Sequence, residues 1–328
     1  MHEAAAGAGF IMAYKYVFGP VMSGRLGRSL GLDLLGDRIC SMDCVYCEVG
    51  ATRRLTMERG PYVSARAVLD ELASWKAEGH GLPDMVTLGG LGEPCLNSAM
   101  GEIIEGARVL FPGVPVAVLT NATLMTDPAV RAELAKADVV LPSLDSLVEA
   151  EFAAVNRPAR GVTAAAVAEG LAAFRGEFDG KIFLEILLVE GINDSDENLD
   201  RLTEFCKRLC PDRVDVVTST RPGTVRSTRP VGGETLGRWR DRLACGGKSP
   251  RRAEAGARED VPMDRLTDQV EASLARRPQT LPQLAEALNA DPDRVRLAVE
   301  ALLKRGDVIP REDRDGTFYH GTGHGTGK

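Results

Sequence analysis

The chain has 328 residues, 44% of them apolar and 27% charged, with a net charge of −7, an ordinary globular composition with room for about two domains of ~100 to 200 residues each. It holds no apolar run of the roughly 18 residues that a membrane-spanning helix needs. The opening MHEAAAGAGFIMAYKY carries Glu3 and no apolar core of signal-peptide length before Lys15, so a cytoplasmic protein with no membrane partner is expected.

In chain order, residues 1–11 read as a loose tail, and patterned sequence begins near Met12. Short apolar runs ending in polar residues or glycine recur at 30–35 (LGLDLL), 85–89 (MVTLG), 115–120 (PVAVLT), 138–144 (DVVLPSL), 182–189 (IFLEILLV) and 214–219 (VDVVTS). Each reads as a buried strand. Helical patterns lie between them: Ser64 as N-cap with Val68, Leu72 and Trp75 on one face, then 98–110, 127–137, 163–175 and 195–209. Six strands alternating with helices predict an α/β fold whose parallel sheet curls into a partial (β/α)6 TIM-type barrel over residues 12–244. A full eight-stranded barrel would need about 250 residues, and only about 220 are available.

Residues 245–262, rich in glycine, arginine and acid, read as a linker. Beyond it, Thr280 to Gln283 forms a capping box for a helix carrying Leu281, Leu284 and Leu288. Asp291-Pro292 opens a second helix through Val295, Val299, Leu302 and Leu303. GDVIPREDRDGTFYH then suggests a β-hairpin, so residues 263–318 read as a small C-terminal winged helix-turn-helix domain, with a disordered tail at 319–328. Residues 265–315 hold nine basic and ten acidic side chains, which gives no electrostatic footprint for DNA. DNA binding and contact with protein or substrate both stay open. Residues 221–258 hold ten Arg or Lys against three acids, either a basic patch or a solvated linker. Within them Arg221 is suited to a carboxylate or phosphate.

Three of the seven cysteines, Cys40, Cys44 and Cys47, fall in one polar loop, RICSMDCVYCEVG at 38–50. An odd total with uneven spacing is not a secreted disulfide framework, and in a reducing compartment such a cluster points to metal. A structural zinc site would need a fourth ligand, and none of His2, His80, His320 and His324 lies nearby. C-x-x-C redox chemistry would leave Cys40 idle. An iron–sulfur cubane normally takes four thiolates, so three leave one iron open.

C-x3-C-x2-C with Tyr46 just before the last cysteine resembles the signature of the radical S-adenosylmethionine (SAM) enzymes. The resemblance implies a [4Fe-4S] cluster on Cys40, Cys44 and Cys47, with SAM chelated to the open iron and cleaved by one electron to a 5′-deoxyadenosyl radical. It also implies an iron–sulfur enzyme of oxidoreductase or transferase type, served by an electron donor such as flavodoxin or ferredoxin. In barrels of this kind ligands sit at the carboxyl ends of the strands. There GGLGEPCLN follows strand two and resembles the family's GGE-type motif: Gly90 and Gly92 let backbone approach SAM, and Glu93 accepts from its ammonium. Asn121, Ser143 and Asp145, at the ends of strands three and four, suit ribose hydroxyls and the methionyl carboxylate; Asn121 and Asp145 also suit helix caps. Asn193 and Glu185, at strand five, are weaker candidates, and Tyr46 suits adenine.

YKYVFGPVMSGRLGRSLGLDLL before the loop and NRPARGVTAAAVAEGL after strand four look like the branch of tRNA wyosine-base synthases, over about residues 12–230. The chain departs from that branch in having no cysteine before Cys40 and no global positive charge. The substrate expectation is therefore broad, an RNA or a protein. Cys206 and Cys210, four apart on one helix face, with Cys245, offer a second cluster, although Cys206 sits among Leu202, Phe205 and Leu209 as a core residue would. The competing reading is an iron–sulfur redox sensor whose winged helix binds DNA.

Overall fold

The computed structural model describes residues 14–244, 261–313 and 316–322. The chain enters as β1 (Val17–Ser23) and returns antiparallel as β2 (Gly27–Asp33). Two short strands, β3 (Ile39–Cys40) and β4 (Arg54–Leu55), pair in parallel across the cysteine loop. In α1 (Ala65–Ala77) the Ser64 side chain accepts from the amide of Ala67, and Val68, Leu72 and Trp75 are buried, each burial contributing about 1.5–3 kcal/mol. There follow β5 (Met85–Gly89), α2 (Met100–Leu110), β6 (Val116–Thr120), α3 (Pro128–Leu134) and β7 (Val139–Pro142). The barrel region is completed by α4 (Glu149–Asn156), α5 (Ala164–Glu177), β8 (Lys181–Leu188), α6 (Asp196–Leu209), β9 (Arg213–Thr218) and α7 (Gly233–Arg242).

The six expected strands lie side by side in chain order, β2-β5-β6-β7-β8-β9, every pair parallel. Sequential order belongs to a curling barrel sheet, whereas a doubly wound sheet reverses at a switch point. The sheet is a curled half-barrel of seven strands, because β1 adds an antiparallel edge outside β2. The sequence patterns missed β1, α4 and α7. VFGPVMS contains glycine and proline, which an edge strand tolerates and a central one does not. In α7 only Trp239 is buried, so GETLGRWRDR carries no apolar stripe.

Alternation along the strands sorts two cores. Leu30, Leu32, Val86, Leu88, Val118, Val140, Leu184 and Ile186 pack outward under the helices. The opposite face collects Ala117, Val139 and Leu141 with Leu26, from the turn between β1 and β2. That turn fills the barrel interior near the amino ends of the strands. It leaves the carboxyl ends as the place for a ligand.

From residue 261 onward come α8 (Met263–Leu274), α9 (Leu281–Ala287), α10 (Pro292–Arg305) and a hairpin of β10 (Val308–Asp313) and β11 (Gly316–Gly321). The capping box of Thr280 and Gln283 is formed, and Asp291 caps α10 ahead of Pro292. Leu266, Val270, Leu274, Leu284, Val295, Val299 and Leu302 make a core separate from that of the barrel. β11 runs to Gly321, past the boundary expected at 318, because Val308 pairs with Gly321 and Ile309 with His320. The expected tails at 1–11 and beyond 322, and nearly all of the linker, lie outside the described residues. Among the described residues no helix is long and apolar enough to cross a membrane.

Candidate active site

The cysteine loop is braced on three sides. On its own strand pair, Thr56 donates its amide to the Cys40 carbonyl (2.9 Å), and Thr52 Oγ1 donates to that of Met42 (2.7 Å). From the end of α4, the Asn156 and Val155 carbonyls accept from the amides of Asp43 (3.1 Å) and Val45 (3.0 Å). From the segment after β9, Val225 N donates to Val45 O (3.0 Å) and Thr224 Oγ1 to Cys44 O (2.9 Å). There a Cβ on Gly223 would stand 2.7 Å from Tyr46 Cα, so only glycine allows this approach.

Two amides address the sulfurs. Asn121 Nδ2 lies 3.5 Å from Cys40 Sγ, and Asn156 Nδ2 lies 3.4 Å from Cys44 Sγ. Burial, followed by the nearby Glu93, pushes the Cys40 thiol up to about 12. Burial pushes Cys47 up to about 11, and burial with Cys47 beside it raises Cys44 well above the usual range. A metal bound by these thiols would have to displace their protons, and the carboxylates beside them, Glu93, Glu48 and Asp145, suit a cationic guest. Among the described residues no three Cys, His, Asp or Glu side chains converge on a single ion, as a tetrahedral zinc site would require. Thiolates on separate irons of a cubane have no need to meet at one point. Three thiols from one loop are a donor set of the kind and number that three irons of such a cluster take.

Of the second cysteine set, the described residues hold two. Cys206 is fully buried in the barrel core, Cys210 is exposed, and Cys245 lies outside the described residues. Cys95 is buried, its Sγ 3.4 Å from Thr120 Oγ1.

After β5, the glycine turn lies directly on the loop. A Cβ on Gly92 would fall 1.8 Å from the carbonyl oxygen of Ile39, and Glu93 N donates to that same oxygen (3.1 Å). Gly90 has φ +124°, a region reserved to glycine, and a Cβ there would meet Asp33 at 2.9 Å. Glu93 is buried, and its oxygens accept from Thr120 Oγ1 (2.7 Å), Asn121 N (2.6 Å) and Cys95 N (3.0 Å). It thereby ties the ends of β5 and β6 together. Burial raises its pKa against these three bonds.

Further along the strand ends, Asp145 is the hub of a buried web. Its carboxylate accepts from Tyr46 OH (2.5 Å), Asn156 Nδ2 (2.6 Å) and Leu187 N (2.8 Å). Asn193 is fully buried, donates to Asp145 O (2.9 Å) and Leu187 O (2.8 Å), and accepts from Val189 N (2.8 Å). Both side chains are tied into the protein by these bonds. They brace the ends of β7 and β8. Ser143, half-buried at the end of β7, donates its amide to Thr120 O (2.9 Å) and bridges the Glu185 backbone. Glu185 itself is ion-paired to Arg25 from the β1–β2 turn. The expected residues Tyr46, Gly92, Glu93, Asn121 and Asp145 thus adjoin the cysteine loop.

Sequence reading missed Asn156, Thr224, Glu48 and the two arginines of the α8–α9 turn. Asn156 heads the quoted NRPARG stretch, but nothing in its spacing announces a sulfur contact. Arg221 pairs with Glu48, the residue after Cys47, at 2.9 Å. Arg277 reaches Glu48 at 4.0 Å, and Arg276 reaches Asp33 at 3.5 Å.

The family model described as Radical SAM superfamily matches residues 37–203, about half of the chain, from just before the cysteine loop into α6. A relative named GTPase Obg from Brachyspira hyodysenteriae is 29% identical over 306 residues, 90% of this chain but 43% of that protein. The chain thus spans less than half of that relative's length, and its sequence has no G-x4-G-K-[ST] phosphate loop. A UPF0026 protein from Synechocystis is 36% identical over 213 residues, 64% of this chain and 77% of that one. The crystal structure of a radical SAM methyltransferase from Sphaerobacter thermophilus overlays with TM-score 0.50 at 17% identity, covering 66% of this chain and 62% of that one, a likeness of fold.

Proposed function

This chain belongs to the radical SAM superfamily, and from that premise we propose that Cys40, Cys44 and Cys47 hold three irons of a [4Fe-4S] cluster while the strand ends bind SAM beside the fourth. Superfamily members use this cluster and this cofactor; when bound, the pair supplies a 5′-deoxyadenosyl radical for hydrogen abstraction from substrate.

The chain's own residues hold and position. Asn121 and Asn156 donate toward the sulfurs of Cys40 and Cys44, which favours thiolate and tunes what it binds. Gly90 and Gly92 keep the turn flat enough for a ligand to lie against its backbone. Glu93, buried and held by Thr120, Asn121 and Cys95, places a negative charge beside the turn against which an ammonium would lie. Ser143 offers a hydroxyl to ribose or carboxylate. The Tyr46 ring, fixed through its hydroxyl to Asp145, is available to adenine, and Asp145 and Asn193 act through the web they brace. The β1–β2 turn closes the barrel from below and keeps water from that side.

One observation carries the reading: the glycine turn sits against the carbonyl immediately before Cys40, so the two motifs form one site. The reductant is a one-electron donor of flavodoxin or ferredoxin type, and a reducing cytoplasm suits the three thiols. The C-terminal helices and hairpin have the element order of a winged helix. They turn Arg276 and Gln283 onto the barrel, which supports a role at its mouth over one in reading DNA. Anaerobic reconstitution followed by reductant and SAM tests the proposal. 5′-Deoxyadenosine in the mass spectrum is expected, and an intact four-iron cluster without that product would refute it.

A further inference from the structure

The barrel mouth carries more guanidinium than its acids satisfy. Arg221 Nη1 meets both oxygens of Glu48, at 3.1 and 2.9 Å. Its Nε is buried with no hydrogen-bond partner among the described residues. Arg277, in the turn between α8 and α9, reaches the same carboxylate only at 4.0 Å, and its guanidinium makes no hydrogen bond to the described residues. Its side chain is nevertheless 32% exposed, and burial, then the charge of Arg221, lowers its pKa.

One carboxylate therefore stands between two arginines and leaves a positive excess. A buried donor without an acceptor is costly, and native proteins keep one chiefly where something else supplies the acceptor. The turn that presents Arg277 is pinned on both sides. Before it, Arg276 pairs with Asp33 (3.5 Å), donates to Lys15 O (3.2 Å) and lies 4.0 Å above the Phe18 ring. After it, Gln283 Nε2 donates to Thr220 O (3.1 Å), one residue from Arg221. Arg221 also lines a cavity of about 60 Å³ with Arg226, Arg311 and Asp313. Asp313 there already faces Arg311 at 3.7 Å.

Resting on the superfamily reading above, we propose that Arg221 and Arg277 clamp an oxyanion of the substrate, a carboxylate or a phosphate, with Glu48 holding its place. Two planar guanidiniums suit such a group better than ammonium would, because each presents paired N–H donors. The C-terminal helices then supply a specificity residue to the barrel.

The test uses the reconstituted full chain, saturated with SAM, in anaerobic titration calorimetry with inorganic phosphate and with acetate as separate probes. Saturable binding of one of them is expected, phosphate marking a phosphorylated substrate and acetate a carboxylic one. R277Q should weaken it by about tenfold or more, as loss of a charge-assisted donor pair does. E48Q should tighten it, a gain that misfolding cannot imitate. Binding of neither probe, or wild-type affinity in R277Q, would each overturn the clamp. Wild-type 5′-deoxyadenosine formation, scored separately, tells a failed clamp from a failed radical chemistry.

Discussion

Replacing Gly92 by alanine puts a methyl group where the carbonyl of Ile39 already stands. The added Cβ falls 1.8 Å from Ile39 O, 2.7 Å from Ile39 C and 2.8 Å from Leu35 Cδ1. That is about 1.5 Å short of ordinary contact with the oxygen, and two of the three obstacles are backbone, which no rotamer change can clear. The turn must lift, and with it goes the bond from Glu93 N to Ile39 O (3.1 Å). Overpacking costs about 1–3 kcal/mol, and the lost hydrogen bond about 1 kcal/mol more. We expect G92A to lose about 3 kcal/mol in urea denaturation of the apo chain and to lose most SAM cleavage after reconstitution. Gly237, inside α7 with nothing within 4 Å of its added Cβ, is the control: G237A should gain about 0.5–1 kcal/mol. Wild-type stability and cleavage in G92A would refute the claim that the two motifs form one site.

Cys44→Ala should abolish both bound iron and 5′-deoxyadenosine, whereas Cys206→Ala, in the barrel core, should keep both and lose only about 1 kcal/mol; iron quantification on each variant decides. Tyr46→Phe deletes the hydroxyl donated to Asp145 and should cost about 1–2 kcal/mol in denaturant unfolding, with the cluster still assembled. For Asp33, burial raises the carboxyl pKa despite Arg276. A raised folded pKa means the native state holds the proton longer, so its contribution is present below the unfolded carboxylate range and lost as pH rises through the folded value. Asp33→Asn keeps an oxygen for the amides of Leu35 and Gly36. It should flatten the fall of stability with rising pH across that window, and an unchanged slope in a pH series of urea unfolding would show that Asp33 does not cause it.

Much of the barrel was readable locally. Buried parallel strands are continuous apolar runs, and helices between them repeat every three to four residues, so β5 to β9 and their main helices follow from composition and period. The cysteine spacing and GGLGEP were legible for the same reason: each is a contiguous loop whose chemistry lies in its own residues. β1, α4 and α7 escaped because edge strands and surface helices carry little apolar signal.

The local letters of the chain determined that three thiols, a glycine turn and six parallel strands would exist, and in what order. Only the fold decided which side chains face outward to a ligand and which face inward. Asp145 and Asn193, expected at a ligand from sequence, are also tied to Tyr46, Asn156 and backbone groups that no local pattern links to them. Glu48, Arg221 and Arg277 looked unrelated, and they meet although 228 residues of chain lie between Glu48 and Arg277. The physical reason is range. Secondary structure and loop chemistry are set by neighbours a few residues away, whereas hydrogen-bond saturation and charge pairing depend on strands and helices brought together by a shared core, and no local pattern encodes that encounter.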